Sequence, residues 1–69
     1  MPLSMAGTGE TNYIQRITGK DVIRRHLEGL GFIIGEPVTV ISEFNGNMIL
    51  SIKNSRIALD KSMANRILV

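Results

Sequence analysis

The chain contains no cysteine. That excludes a disulfide framework, thiolate metal sites and a cysteine nucleophile, and leaves the redox compartment open. Aromatic residues are only 4% of the chain, too few to support a platform of stacked side chains for single-stranded nucleic acid. Histidine occurs once, at His26, and a metal ligand needs nitrogen or oxygen partners beside it. Its helical neighbours three and four residues away are Val22, Ile23, Gly29 and Leu30. None of them can ligate, so no specific metal site is expected. No apolar run approaches the ~18 residues of a membrane span, so no direct membrane insertion is expected. The segment Met1 to Glu10 lacks both a basic lead and a long apolar stretch, so it does not read as a signal peptide. A cytoplasmic location is the default expectation. Neither sign of charge dominates: eight Lys and Arg face six Asp and Glu, a net charge of +2. This surplus permits an acidic partner without demanding one.

What is present is an ordinary globular composition, 43% hydrophobic and 20% charged over 69 residues. This is one domain, residues 1–69, and disorder is not expected. So small a core leaves a net stability of roughly 3–5 kcal/mol, with little margin for buried or strained catalytic groups. The carboxylates Glu10, Asp21, Glu28, Glu36, Glu43 and Asp60 are thinly spread, and no two stand at helical i, i+3 or i, i+4 spacing. The stretch holding Gly29, Gly31 and Gly35 lacks the phosphate-loop pattern and has no helix after it. The serines have no nucleophile-elbow context. Neither catalytic residues nor a cofactor site is expected, and the chain does not read as an enzyme.

Residues 1–9 hold Pro2, Gly7 and Gly9 among small side chains and read as an irregular or frayed lead-in. Residues 10–18, with Tyr13, Ile14 and Ile17 among polar neighbours, predict a strand. A helix follows. Thr18 and Asp21 fit the spacing of a capping box, and Ile23, Leu27 and Leu30 recur on one face. Gly31 is placed to end that helix in the left-handed conformation.

Strands over 37–44 and 48–53 flank Asn45-Gly46-Asn47, a hairpin signal. An odd-numbered loop would align Val38, Val40 and Phe44 with Met48, Leu50 and Ile52 on one face, whereas a two-residue loop would mix polar with apolar positions. Burial therefore predicts a three-residue turn with a bulge at its end. Asn54-Ser55 reads as a second turn and Arg56 to Leu59 as a short strand. Asp60 can cap a single helical turn reaching about Asn65, and Arg66 to Val69 close as the last strand. About five strands with one helix after the first predict a small, strongly bent sheet closed into a partial barrel, which hides its edges.

The densest basic cluster is Lys20, Arg24 and Arg25, with Arg16 in the preceding strand. Such clusters are most often solvated helix surface, and otherwise dock an acidic surface or nucleic acid.

From His26-Leu27-Glu28-Gly29-Leu30-Gly31-Phe32, through Ile33-Ile34-Gly35, to the alternating Val38 and Val40, the order of residues resembles the ferrous iron transport protein A (FeoA) family. Ala58-Leu59, Ala64, Ile67 and Val69 match its closing pattern, so the likeness covers nearly the whole chain. Ile34 stands where the family commonly has proline, His26 where it has arginine, and the hairpin is shorter than in many members. The resemblance implies an SH3-like β-barrel with a short helix inserted after the first strand. The same barrel type closes iron-dependent repressors of the diphtheria toxin repressor kind, but this chain shows no helix-turn-helix portion.

The resemblance further implies a small cytosolic accessory of ferrous iron uptake that binds and modulates the cytosolic GTP-binding part of the FeoB transporter. It offers no catalytic residues to carry over. Partner contact is expected through Lys20, Arg24, Arg25, Leu30, Gly31, Phe32 and Gly35. An SH3-like nucleic-acid-binding module and a self-associating module are the alternatives, with a monomer that binds no nucleic acid as the expectation.

Overall fold

The structure is a computed structural model describing residues 1–69. Its elements are a 3₁₀ turn at Leu3–Met5, β1 (Thr11–Tyr13), β2 (Arg16–Ile17), α1 (Asp21–Gly29), β3 (Pro37–Phe44), β4 (Asn47–Ile52), β5 (Ser55–Asp60), α2 (Lys61–Ala64) and β6 (Ile67–Leu68). All strand pairings are antiparallel. A four-stranded sheet runs in the order β1-β3-β4-β5, and β2 pairs with β6 in a second, two-stranded sheet. Together they form the small SH3-like barrel expected from the sequence. The single predicted strand over residues 10–18 is two strands, because the chain leaves β3 after Tyr13 and joins β6 from Arg16. This makes six strands rather than five.

Every fully buried residue is apolar, although the Asn12 side-chain nitrogen is also shielded. Leu3, Ile14, Leu27, Phe32, Val38, Val40, Met48, Leu50 and Ile67 are fully or almost fully buried, and no polar or charged residue is. The lead-in is part of this interior rather than frayed. Leu3 and Ala6 are buried, Pro2 bridges to Leu68, and the Val69 N–H donates to the Met1 carbonyl at 2.8 Å.

The helix begins later than the capping box predicted. Its N-cap is Lys20, with no side-chain cap hydrogen bond. The Thr18 backbone N–H and hydroxyl both donate to the Arg66 carbonyl, at 2.8 and 3.3 Å. That pairing holds Thr18 extended beside β6, and Gly19, at φ 114°, turns the chain into the helix. Asp21 pairs with Arg24 instead of reaching back toward Thr18. The C-terminus agrees with the reading. Gly31 sits at φ 107°, its N–H donates to the Glu28 carbonyl at 2.9 Å, and the Phe32 N–H donates to the Leu27 carbonyl at 3.0 Å. This is a Schellman closure, and its usual apolar contact is supplied by buried Leu27 and Phe32.

The β3–β4 turn differs from the odd-numbered loop. Phe44 pairs with Asn47, leaving a two-residue loop in which Asn45 and Gly46 have φ of 50° and 78°. Two positive φ values make a type I′ turn, whose twist suits adjoining strands. The polar–apolar mismatch that such a loop imposes is corrected farther along, where a bulge at Ile41 sets Val40 opposite Leu50. Beyond the bulge Phe44 faces outward, 71% exposed, rather than joining Val38 and Val40. The second turn is Lys53-Asn54, one residue earlier than predicted, again with both φ positive. Asp60 caps α2 as expected, accepting from the Met63 N–H at 2.8 Å.

Candidate functional site

Three segments that are separate in sequence meet at one groove of about 730 Å³. Strand β2 contributes Arg16 and Ile17, and the last two turns of α1 contribute Arg24, Arg25, Glu28 and Gly29. The connection after the helix contributes Phe32, Ile33 and Ile34. Each segment is held there by an identifiable constraint. Pairing of Ile17 with Ile67 fixes β2. The Schellman closure directs Phe32 inward, so that Phe32 and Ile17 form an apolar floor. A turn then carries Ile33 and Ile34 back outward: the Glu36 N–H donates to the Ile33 carbonyl at 3.0 Å, with Gly35 at φ 90°. That arrangement is a type II turn, which needs positive φ at its third position and turns its first corner at the second residue. Ile34 occupies that corner, 66% exposed, beside Ile33 at 41%.

The rim is mainly positive. Arg24 is engaged with Asp21, while Arg16, Arg25 and Glu28 take part in no ion pair. Gly29 leaves an opening in the wall: a side-chain carbon built there would meet nothing within 4 Å. The lining holds no hydroxyl, imidazole or thiol and a single carboxylate, so it offers neither an acid–base pair nor a nucleophile. Its chemistry is positive charge beside the exposed Ile33 and Ile34, which suits binding.

Of the residues proposed from sequence, Arg24, Arg25 and Phe32 line the groove. Phe32 does so from below, with no exposed surface of its own. Lys20 stands exposed at the helix start, outside the lining. Leu30 is half-buried and packs against the core. Gly31 ends the helix beside Ile52 and Lys53, and Gly35 supports the turn. The sequence points to the helix and the Leu30 to Gly35 segment, within which Ile33 and Ile34 fall, but does not name Ile33, Ile34, Glu28, Gly29 or Ile17 as site residues. The available signal was two adjacent β-branched residues between turn-forming glycines, in a segment with no strand to bury them.

Asp60 caps α2 and does not line the groove. The Met63 N–H and then the Ser62 hydroxyl hold it below the ordinary carboxylate range. Nowhere in the fold do three His, Asp or Glu side chains converge. No helix is long and apolar enough to cross a membrane.

The FeoA domain profile matches residues 1–69. A Methanocaldococcus jannaschii protein named Fe(2+) transport protein A is 34% identical over 68 residues, covering 99% of this chain and 83% of its own length. A crystal structure of an iron uptake regulatory protein, FeoA, superposes with a TM-score of 0.90 at 28% identity, over 97% of this chain and 91% of that one. Stenotrophomonas maltophilia FeoA, described as an SH3 domain protein and solved with zinc, gives 0.88 at 27% identity, over 100% and 88%. The zinc is part of that protein's structure. A profile match over every residue, a relative aligned along nearly the whole chain and a shared barrel lead to one assignment: the chain belongs to the FeoA domain family.

Proposed function

We propose that this protein is a cytosolic accessory of ferrous iron uptake, which docks on the cytosolic GTP-binding region of a FeoB-type transporter. The FeoA domain, spanning residues 1–69, supports the transport role, as does the name of its Methanocaldococcus jannaschii relative. The observation that carries the docking mode is the groove between α1, β2 and the Ile33–Glu36 turn, equipped to bind but not to catalyse.

The test is an NMR titration of the isotopically labelled protein with that cytosolic region, with a random DNA duplex as control. Shifts confined to Arg16, Arg24, Arg25 and the Phe32–Gly35 segment, with the transporter region alone, are the expected result. No shift with the transporter region, together with salt-sensitive shifts at the same arginines on adding DNA, would replace this function with nucleic-acid binding.

A further inference from the structure

The geometry points to a specific kind of occupant for the groove: a short acidic segment that lays one bulky aliphatic side chain against Ile33 and Ile34 while its carboxylates meet Arg16 and Arg25. The proposal rests on the docking reading of the groove, but not on which protein carries the segment.

Two guanidinium groups without intramolecular ion pairs flank the floor, and a planar guanidinium takes a carboxylate in paired hydrogen bonds. The exposed Ile33 and Ile34 extend the apolar surface out of the groove. A volume near 730 Å³ falls within the ~300–1,000 Å³ range of pockets that enclose a small ligand. A few residues of extended chain match that space better than a flat protein face.

The charges are also unevenly placed. Glu28 stands one helical turn from Arg24 and Arg25, near the C-terminal end of α1, and both the acid and the helix end disfavour a diffuse anion such as a phosphate backbone. A peptide can set its acids on Arg16 and Arg25 and its aliphatic group on Ile33 and Ile34. Discrimination by charge position therefore favours a carboxylate-bearing peptide over nucleic acid.

Gly29 provides the test. Its backbone is helical and the space beyond it is empty. Gly29→Leu therefore fills the groove without strain and improves helix propensity. The probe is a fluorescent peptide with one leucine flanked by aspartates and glutamates, titrated into the full chain by polarisation. Binding is expected to weaken at least about tenfold, a change of about 1.4 kcal/mol, when the acids become amides or the leucine becomes serine. Gly29→Leu and Arg25→Glu should cause losses of the same size, while the thermal midpoint of Gly29→Leu stays equal or rises. Phe44→Ala, remote from the groove on the hairpin, should bind the peptide unchanged.

Equal binding of the acidic and amide peptides would overturn the proposal, as would full binding by Gly29→Leu. Displacement by a DNA duplex would do so in favour of nucleic acid. Self-association removed by Gly29→Leu, in the absence of peptide, would do so in favour of a second copy. Titrating the transporter's cytosolic region separately distinguishes the two claims. A peptide that binds while that region does not leaves the groove chemistry standing and removes the transporter. A region that binds while the peptide does not has the opposite meaning.

Discussion

At the scale of single residues, the polar side chains of this protein act mainly through the backbone they cap or bend. Asp60 accepts hydrogen bonds from the Met63 N–H and the Ser62 hydroxyl, at 2.8 and 2.9 Å. Both favour the ionised carboxylate, so its folded pKa lies below the ordinary value. The unfolded chain then binds the proton more readily. The stabilisation is complete above the ordinary carboxylate pKa and is lost as the pH falls through the depressed one. Denaturation midpoints should fall on acidification through that window, and the Asp60→Asn variant should show a smaller fall because its cap cannot titrate. Lys53 presents a different balance. It sits at φ 48°, where a non-glycine side chain costs roughly 1–2 kcal/mol. Its one ion pair, with Glu36 at 3.9 Å, joins partly exposed groups and contributes roughly 0–1 kcal/mol. Asparagine tolerates the left-handed region better. Lys53→Asn should therefore raise the urea midpoint slightly, by an amount equivalent to about 0.5 kcal/mol, and a lower midpoint would show that the ion pair outweighs the backbone.

Among the elements, local chemistry was legible where the deciding contacts are close in sequence. The end of α1 at Gly31 and the cap at Asp60 each depend on atoms within a turn of chain, and both were read correctly. The β3–β4 hairpin was not, although its burial logic was sound. Val40 does share a face with Leu50, but the correction sits at Ile41 rather than in the loop. Asn45-Gly46 fits a type I′ turn so well that moving the irregularity into the strand disturbs the twist less. The start of α1 was misread because the partner that claims Thr18 is Arg66, forty-eight residues away. The Ile33–Glu36 turn carries its own prediction. Ile34 holds the second position of a type II turn, the place where proline is favoured, and its N–H makes no backbone hydrogen bond. Ile34→Pro should stabilise the fold by roughly 0.4–1 kcal/mol, by restricting the unfolded chain. A decrease in the denaturation midpoint would show that the turn is not of this type. The same substitution keeps an apolar corner beside the groove, so peptide binding should change much less than with Gly29→Leu.

For the whole molecule, the sequence revealed the charge of the candidate site but not its shape. Arg16, Arg24 and Arg25 stood out as a cluster, whereas the floor of Ile17 and Phe32 exists only once β2 has paired with β6 and the helix has closed on Phe32. The same limit hid the role of residues 1–9. Their glycines, proline and small side chains resemble any loose terminus, because nothing local indicates a partner near residue 68. In the fold Leu3 is completely buried, Ser4 Oγ donates to Asn65 Oδ1 at 2.8 Å, and Pro2 bridges to Leu68. The lead-in thus packs against the closing strand and helix, and it braces β6, the strand to which β2 and one wall of the groove are tied. Truncating a fully buried leucine to alanine costs about 2–5 kcal/mol. A domain of this size has a net stability of roughly 3–5 kcal/mol, so the loss is comparable to the whole. Leu3→Ala should leave a substantial unfolded fraction at room temperature, visible as lost dispersion in an amide NMR spectrum. Met5→Ala, at a side chain 72% exposed, should alter stability by no more than about 0.5 kcal/mol. Equal tolerance of the two substitutions would mean that the lead-in does not brace the barrel, and that the groove wall on β2 stands without it.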